Sequence, residues 1–328
     1  MKQRDIRFDI ARAVCMCYII AVLHLSQYLG IEHYIYETYI GRLVTFSCLG
    51  LFTFMSGYLI GKNNDFTPSK QSSEAPTQKA FAFYKKRFLR IYPLFFIATV
   101  LLWLIGFNDL LPSVFGLLGV APFVAYQPKT MWYISMLIVF YLITPLINRY
   151  SIKWKIAMSF CLLIVFGVAK LVMHVDTRFL FNFFFYCLGL VLSGVNYAYI
   201  HDADYLNIKK HVVVIIVFIA LTLLTNRYFS KSVALLSVGA LGVWALFSLS
   251  CLMARIKNQR FVKVIGFASY ASMVCYLFHR FYYWVGLSLC DPEKMMVKVV
   301  LLIIVFAVGL VISYFIQKGY DKIVQHVE

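Results

Sequence analysis

The stretch FDIARAVCMCYIIAVLHLSQYLG, residues 8–30, decides what kind of protein this is. It stays largely apolar over about twenty residues, the length an α-helix needs to cross the hydrocarbon core of a bilayer. Yet it carries Asp9, Arg12 and His24. Runs of the same kind recur along the whole chain of 328 residues, of which 62% are hydrophobic and 14% charged. That balance excludes an ordinary soluble domain. The sequence reads as an all-α, polytopic membrane protein, a bundle of about ten transmembrane helices forming one domain over residues 1–328. The predicted spans are 9–29, 39–61, 87–106, 131–149, 154–173, 179–198, 211–226, 232–252, 265–287 and 297–316. The first run lacks a small-residue cleavage site and is followed by further spans, so it is expected to be a retained helix rather than a signal peptide.

The formal net charge of +17 is explained by position. With the amino terminus in the cytoplasm, the inner segments hold 21 Lys and Arg and the outer segments 7, the bias that topology imposes. Both termini are then cytoplasmic, and no basic and aromatic pattern suited to nucleic acid is present. Residues 62–80, KNNDFTPSKQSSEAPTQKA, read as a polar inner loop. Residues 107–130, with Pro112, Pro122 and Pro128, read as an outer loop that partly dips into the interface. Seven of the eight cysteines lie in apolar runs, with Cys290 alone in a loop, and their spacing gives no disulfide framework or zinc motif. The seven histidines are scattered, so no metal site is expected.

An ionisable side chain at the centre of a span costs roughly 2.5 to 3.5 kcal/mol on insertion scales, so one that stays there faces protein or water and has a function. Asp9 and Arg12, three residues apart, share a helix face and can pair. His24 lies 15 residues beyond Asp9, about 22 Å along the axis and therefore in the outer half of the membrane. A neutral imidazole there could act as a general base on a hydroxyl or serve only as a packing hydrogen bond. In FYKKRFLRIYPLFF, residues 83–96, Lys86, Arg87 and Arg90 cluster where the third span leaves the cytoplasm. Arg forks grip phosphate oxygens well, although a topology signal or contact with anionic headgroups would use the same residues. His279 and Arg280 interrupt the apolar run SYASMVCYLFHRFYYW, residues 269–284. His279 suits a polar cavity or a structural hydrogen bond, and Arg280 could snorkel along its own stem. Ser56 and Gly57 suit close helix packing or a cavity wall, and Trp132 with Tyr133 suits an aromatic belt.

Taken in order, the opening helix from Arg12 to His24, FMSGYLI (54–60), FYKKRFLRIYP (83–93), WYISMLIVFYLITPL (132–146) and SYASMVCYLFH (269–279) resemble the acyltransferase 3 family of multi-span membrane acyltransferases. The likeness implies an O-acyltransferase that takes an acyl group, commonly acetyl, from cytoplasmic acetyl-CoA and delivers it to a hydroxyl of a cell-envelope glycan or lipid-linked sugar. It implies His24 as catalytic base with Arg12 and Asp9 beside it. Arg87 and Arg90 are implied as the acyl-CoA site and His279 as a cavity residue; beside them Lys86 is expected to join the cationic cluster, and Ser56, Trp132 and Tyr133 to line the substrate cavity. The implied setting is a bacterial inner (plasma) membrane, with lipids as further partners. The rival expectation is a transporter or flippase for an anionic lipid or glycan; the near absence of intramembrane carboxylates, usual in proton relays, speaks against proton coupling.

There is one departure from the family pattern. Ten residues usually separate the arginine from the histidine, whereas here eleven intervene, AVCMCYIIAVL. On a straight helix the extra residue turns His24 by about 100° unless a π-bulge absorbs it.

Overall fold

A computed structural model of the chain describes residues 5–35, 37–64, 66, 75–173, 175–195, 208–228, 231–290 and 292–327. The last three residues of the predicted span 179–198 lie outside the described residues, as do Asp65 and residues 67–74 of the predicted inner loop, His174 and His201. Among the described residues every regular element is a helix. In chain order these are α1 (Ile6–Tyr28), α2 (Glu32–Ile35), α3 (Tyr39–Asn63), α4 (Pro76–Leu104), α5 (Leu110–Leu117), α6 (Trp132–Asn148), α7 (Ile152–Val172), α8 (Thr177–Leu192), α9 (Ile208–Tyr228), α10 (Lys231–Met253), α11 (Gln259–Leu289) and α12 (Met295–Val327). Eight described helices are long and apolar enough to cross a membrane, and α6 and α8 are shorter apolar helices at the remaining two predicted positions. The all-α membrane architecture is therefore as the sequence reads.

Helix ends differ from the hydropathy spans. The α4 helix begins at Pro76, well inside the segment read as a polar loop, so Lys79, Lys85, Lys86, Arg87 and Arg90 all sit on regular helix. Similarly, α11 begins at Gln259 and α12 continues to Val327. Hydropathy marks the hydrocarbon core, whereas backbone hydrogen bonding continues past it into the headgroup region. The segment 107–130, read from the sequence as an outer loop, holds the short α5 and a 3-10 turn, Ala121–Phe123.

The chain divides into two compact units, one from Met1–Phe52 with Tyr197–Gly319, the other from Thr53–Asn196 with Tyr320–Glu328. In the first, Ile10, Ala13, Met16 and Ile20 form a stripe along α1 at intervals of three and four residues. They pack against Ile265, Ala268 and Cys275 of α11 and Leu302 of α12. Here also α3 meets α10, where Ser47 Oγ donates to the Gly239 carbonyl at 3.2 Å. Lipid is as apolar as leucine, so such contacts are held by close packing and hydrogen bonds rather than by exclusion of water.

In the second unit α3 and α8 approach backbone to backbone. A Cβ placed on Gly57 would collide with the Tyr186 carbonyl, and one on Gly189 with the Phe54 carbonyl and the Tyr58 amide. Beside this crossing Phe140, Phe166, Phe179 and Phe183 make an aromatic cluster with ring centroids 4.9 to 5.9 Å apart. Pro93 stands inside α4. Lacking an N–H, it leaves the carbonyl four residues earlier, that of Leu89, without its helical donor. The Tyr320 hydroxyl donates to that carbonyl instead. Tyr320→Phe keeps the ring and removes the donor, so it is expected to destabilise the protein by about 1 kcal/mol. Thermal unfolding in detergent reads this out, and an unchanged midpoint would refute it.

Candidate active site

Two histidines chosen independently from the sequence meet in the first unit. His24 Nδ1 lies 2.7 Å from His279 Nε2, and the rings are nearly parallel, 5° apart. The second bond of His279 fixes the proton positions. Its Nδ1 lies 2.6 Å from the Tyr276 carbonyl, and a carbonyl can only accept, so His279 Nδ1 carries a hydrogen and, in the neutral ring, Nε2 accepts. His24 must then donate through Nδ1, which leaves its Nε2 as the atom with a lone pair. His279 is buried at 2% exposure, whereas His24 is half-buried. The inner ring is thus a fixed orienting group and the outer ring retains an accessible face.

The helix that carries His24 is not uniform. Ile6–Cys17 is α-helical, Tyr18–His24 is π-helical, and Leu25–Tyr28 returns to α. A π turn holds one residue more than an α turn, which takes up about one residue's worth of rotation, close to 100°. This is the amount by which eleven intervening residues depart from the usual ten. The Ile20 carbonyl accepts the i+5 bond from Leu25 N–H and a second hydrogen bond from the Tyr283 hydroxyl at 3.2 Å. Tyr283, 1% exposed on α11, therefore clamps the wide turn one helical turn beyond His279.

Arg280 does not snorkel. Its guanidinium is 3% exposed and donates to Gln27 Oε1, with the Tyr28 ring 5.5 Å from its centre. Burial of this charge against α1 is tolerated because Gln27 accepts its hydrogen bond and the Tyr28 ring faces it. Gln27 is exposed and lies three residues from His24, on the same helix face. The sequence reading missed Gln27, Tyr28 and Tyr283. Their signal was present in the spacing of polar groups along α1 and α11, but only contact between the helices selects them.

Asp9 and Arg12 form a second cluster. Ser269 Oγ donates to Asp9 Oδ1 at 2.7 Å, and an Arg12 nitrogen lies 3.9 Å from the same oxygen. Ser269 and His279 are ten residues apart on α11, roughly 15 Å along its axis. The structure joins Asp9 to Arg12 and His24 to His279, and keeps the two pairs apart.

In the second unit the Arg87 guanidinium lies over the rings of Phe83 and Tyr141, 5.4 and 5.6 Å from their centroids. Its Nε is buried, with no hydrogen-bond partner among the described residues. Ser56 Oγ is 3.0 Å from the Tyr141 hydroxyl, so Ser56 and Arg87 share one aromatic residue that the sequence did not single out. Lys86 and Arg90 are exposed on the same face of α4, four residues apart. Trp132 and Tyr133 are held elsewhere, edge to face at 6.0 Å. The Trp132 face is covered by Arg178 at 4.0 Å, and Arg178 also donates to Asp176 and to Gln127 Oε1. Burial alone would push the Asp176 carboxyl up, but hydrogen bonds and the charge of Arg178 hold it below the usual carboxylate range. Just before Trp132, Thr130 adopts φ 68°, a conformation costly for a β-branched residue.

Among the described residues no cluster of three or more His, Cys, Asp or Glu could hold a metal ion. No curated protein and no solved structure matches the chain. The acyltransferase 3 family, described as an acyltransferase domain, matches residues 5–318. That match takes in both histidines, the basic helix and the aromatic residues around Arg87, and the chain belongs to the acyltransferase 3 family.

Proposed function

We propose that this membrane acyltransferase moves an acetyl group from cytoplasmic acetyl-CoA to a hydroxyl of a cell-envelope glycan or lipid-linked sugar. The protein would lie in a bacterial inner membrane with both termini cytoplasmic. One family match crosses both compact units, which supports treating residues 1–328 as one functional domain. The observation that carries the chemistry is the hydrogen-bond chain from the Tyr276 carbonyl through His279 to His24, which leaves His24 Nε2 as a proton acceptor.

In this reading His24 Nε2 takes the proton of the acceptor hydroxyl as its oxygen attacks the thioester carbonyl carbon. The charge that develops on the carbonyl oxygen is met by a preorganised donor. The Gln27 carboxamide suits that role, since its oxygen is engaged by Arg280, which leaves its N–H bonds as the donors, and it stands three residues from His24 on α1. Collapse of the intermediate breaks the carbon–sulfur bond, and the proton held by His24 passes to the departing thiolate. His279 and Tyr283 position the base and its helix. Arg87, Arg90 and Lys86 would hold the phosphates of CoA, Ser56, Trp132 and Tyr133 would line the substrate cavity, and Asp9 with Arg12 would fix the inner end of α1.

The test is to supply the purified protein in lipid nanodiscs with labelled acetyl-CoA and envelope glycan. Alkali-labile label on the glycan is the expected result. Translocation of glycan with no transferred label would replace this reading with the transporter. Arg90 is exposed, so Arg90→Ala is expected to leave the fold intact. It should raise the KM for acetyl-CoA by roughly ten- to a hundredfold, the worth of one charge-assisted phosphate contact. An unchanged KM would remove Arg90 from the donor site.

A further inference from the structure

A groove of about 900 Å³ lies between α11 and α12, near the ends that carry Lys263 and Lys318. Its floor is aromatic. Phe267 stacks on Tyr314 with ring centroids 4.7 Å apart, and Tyr270 meets Tyr314 edge to face at 5.3 Å. In the wall stands Gly266, where no neighbouring group among the described residues lies within 4 Å of the position a Cβ would take. Further along, the same two helices touch closely, since a Cβ on Gly286 would strike Val305 and one on Gly309 would strike Tyr282. The helices are therefore packed at one end and separated at the other.

Both helices are long and apolar enough to cross a membrane. Their lysine-bearing ends then stand where lipid headgroups lie, and the groove below them borders acyl chains. Lys263 and Lys318 are exposed, and no carboxylate is among the described residues that line the groove. Two ammonium groups over an apolar, aromatic slot complement a ligand with a phosphate at one end and a hydrocarbon chain at the other. None of these residues belongs to the histidine site, so the inference does not rest on acyl transfer.

We propose that this groove binds an anionic phospholipid, with the phosphodiester between Lys263 and Lys318 and the upper part of one acyl chain against Tyr314 and Phe267. Native mass spectrometry of the full chain released from detergent, with phosphatidylglycerol and phosphatidylcholine in competition, provides the test. Phosphatidylglycerol is expected to be retained in preference. The Lys263→Ala, Lys318→Ala double variant should retain it about thirtyfold less well, from two lysine contacts near a membrane surface. Gly266→Leu fills the slot while leaving both charges and should also remove the preference, which surface charge alone would not do. Equal retention of the two lipids, or wild-type retention in both variants, overturns the proposal. So does displacement of the lipid by CoA or inorganic phosphate, which would make the groove a site for soluble phosphates.

Discussion

His24→Ala is expected to lower kcat by roughly a hundred- to ten-thousandfold, the usual worth of a positioned general base, with the KM for acetyl-CoA little changed. The reason is atomic. Only Nε2 of His24 is left as an acceptor by the chain of bonds from Tyr276 through His279, and alanine supplies no other. His279→Phe gives the complementary result. It keeps a planar ring in the buried site but removes the acceptor that holds the His24 proton on Nδ1, so both tautomers become populated and kcat falls less than for His24→Ala. His279→Gln, which restores an acceptor, should recover part of the loss. Labelled acetyl transfer by membrane-inserted protein measures all three. A His24→Ala protein that inserts, binds CoA and turns over at the wild-type rate would remove the mechanism.

Gly57→Ala is expected to destabilise the protein strongly. Cost follows from what the methyl meets. At Gly57 it meets the backbone of Tyr186 and Leu190 in α8, and Gly189 faces α3 in the same way, so no side chain can rotate to make room. Overpacking of this kind costs about 1 to 3 kcal/mol or more, and the helices must separate to relieve it. The displacement would also pull Ser56 from its 3.0 Å contact with Tyr141, so any activity that uses that contact should fall with stability. Unfolding by denaturing detergent, with Gly266→Ala as a control in open space, separates the effects. Equal midpoints for wild type and Gly57→Ala would show that the α3–α8 contact is looser than described.

The membrane architecture was legible because lipid imposes one rule on every span, a long apolar run, and hydropathy reads that rule directly. Helix ends were less legible, as α4 shows. Pro76 opens it eleven residues before the predicted span because polar residues extend a helix into the headgroup region without altering hydropathy inside the core. Both histidines could be selected one at a time, since each is an ionisable group in an apolar run. Their pairing joins residues 255 apart in the chain, and no local periodicity carries such information. Arg280 was misjudged for the same reason. A snorkelling arginine and a buried one have the same neighbours in sequence, and only Gln27 and Tyr28 from α1 distinguish them.

The wide turn at Tyr18–His24 also bears on how this chain is compared with its relatives. An inserted amino acid that is taken up as a bulge leaves the backbone on either side in its former phase. The single-residue gap in an alignment therefore belongs inside 18–24, not upstream of Arg12. Placed too early, it would shift the whole first half of α1 by one column and assign its lining positions to the wrong side chains.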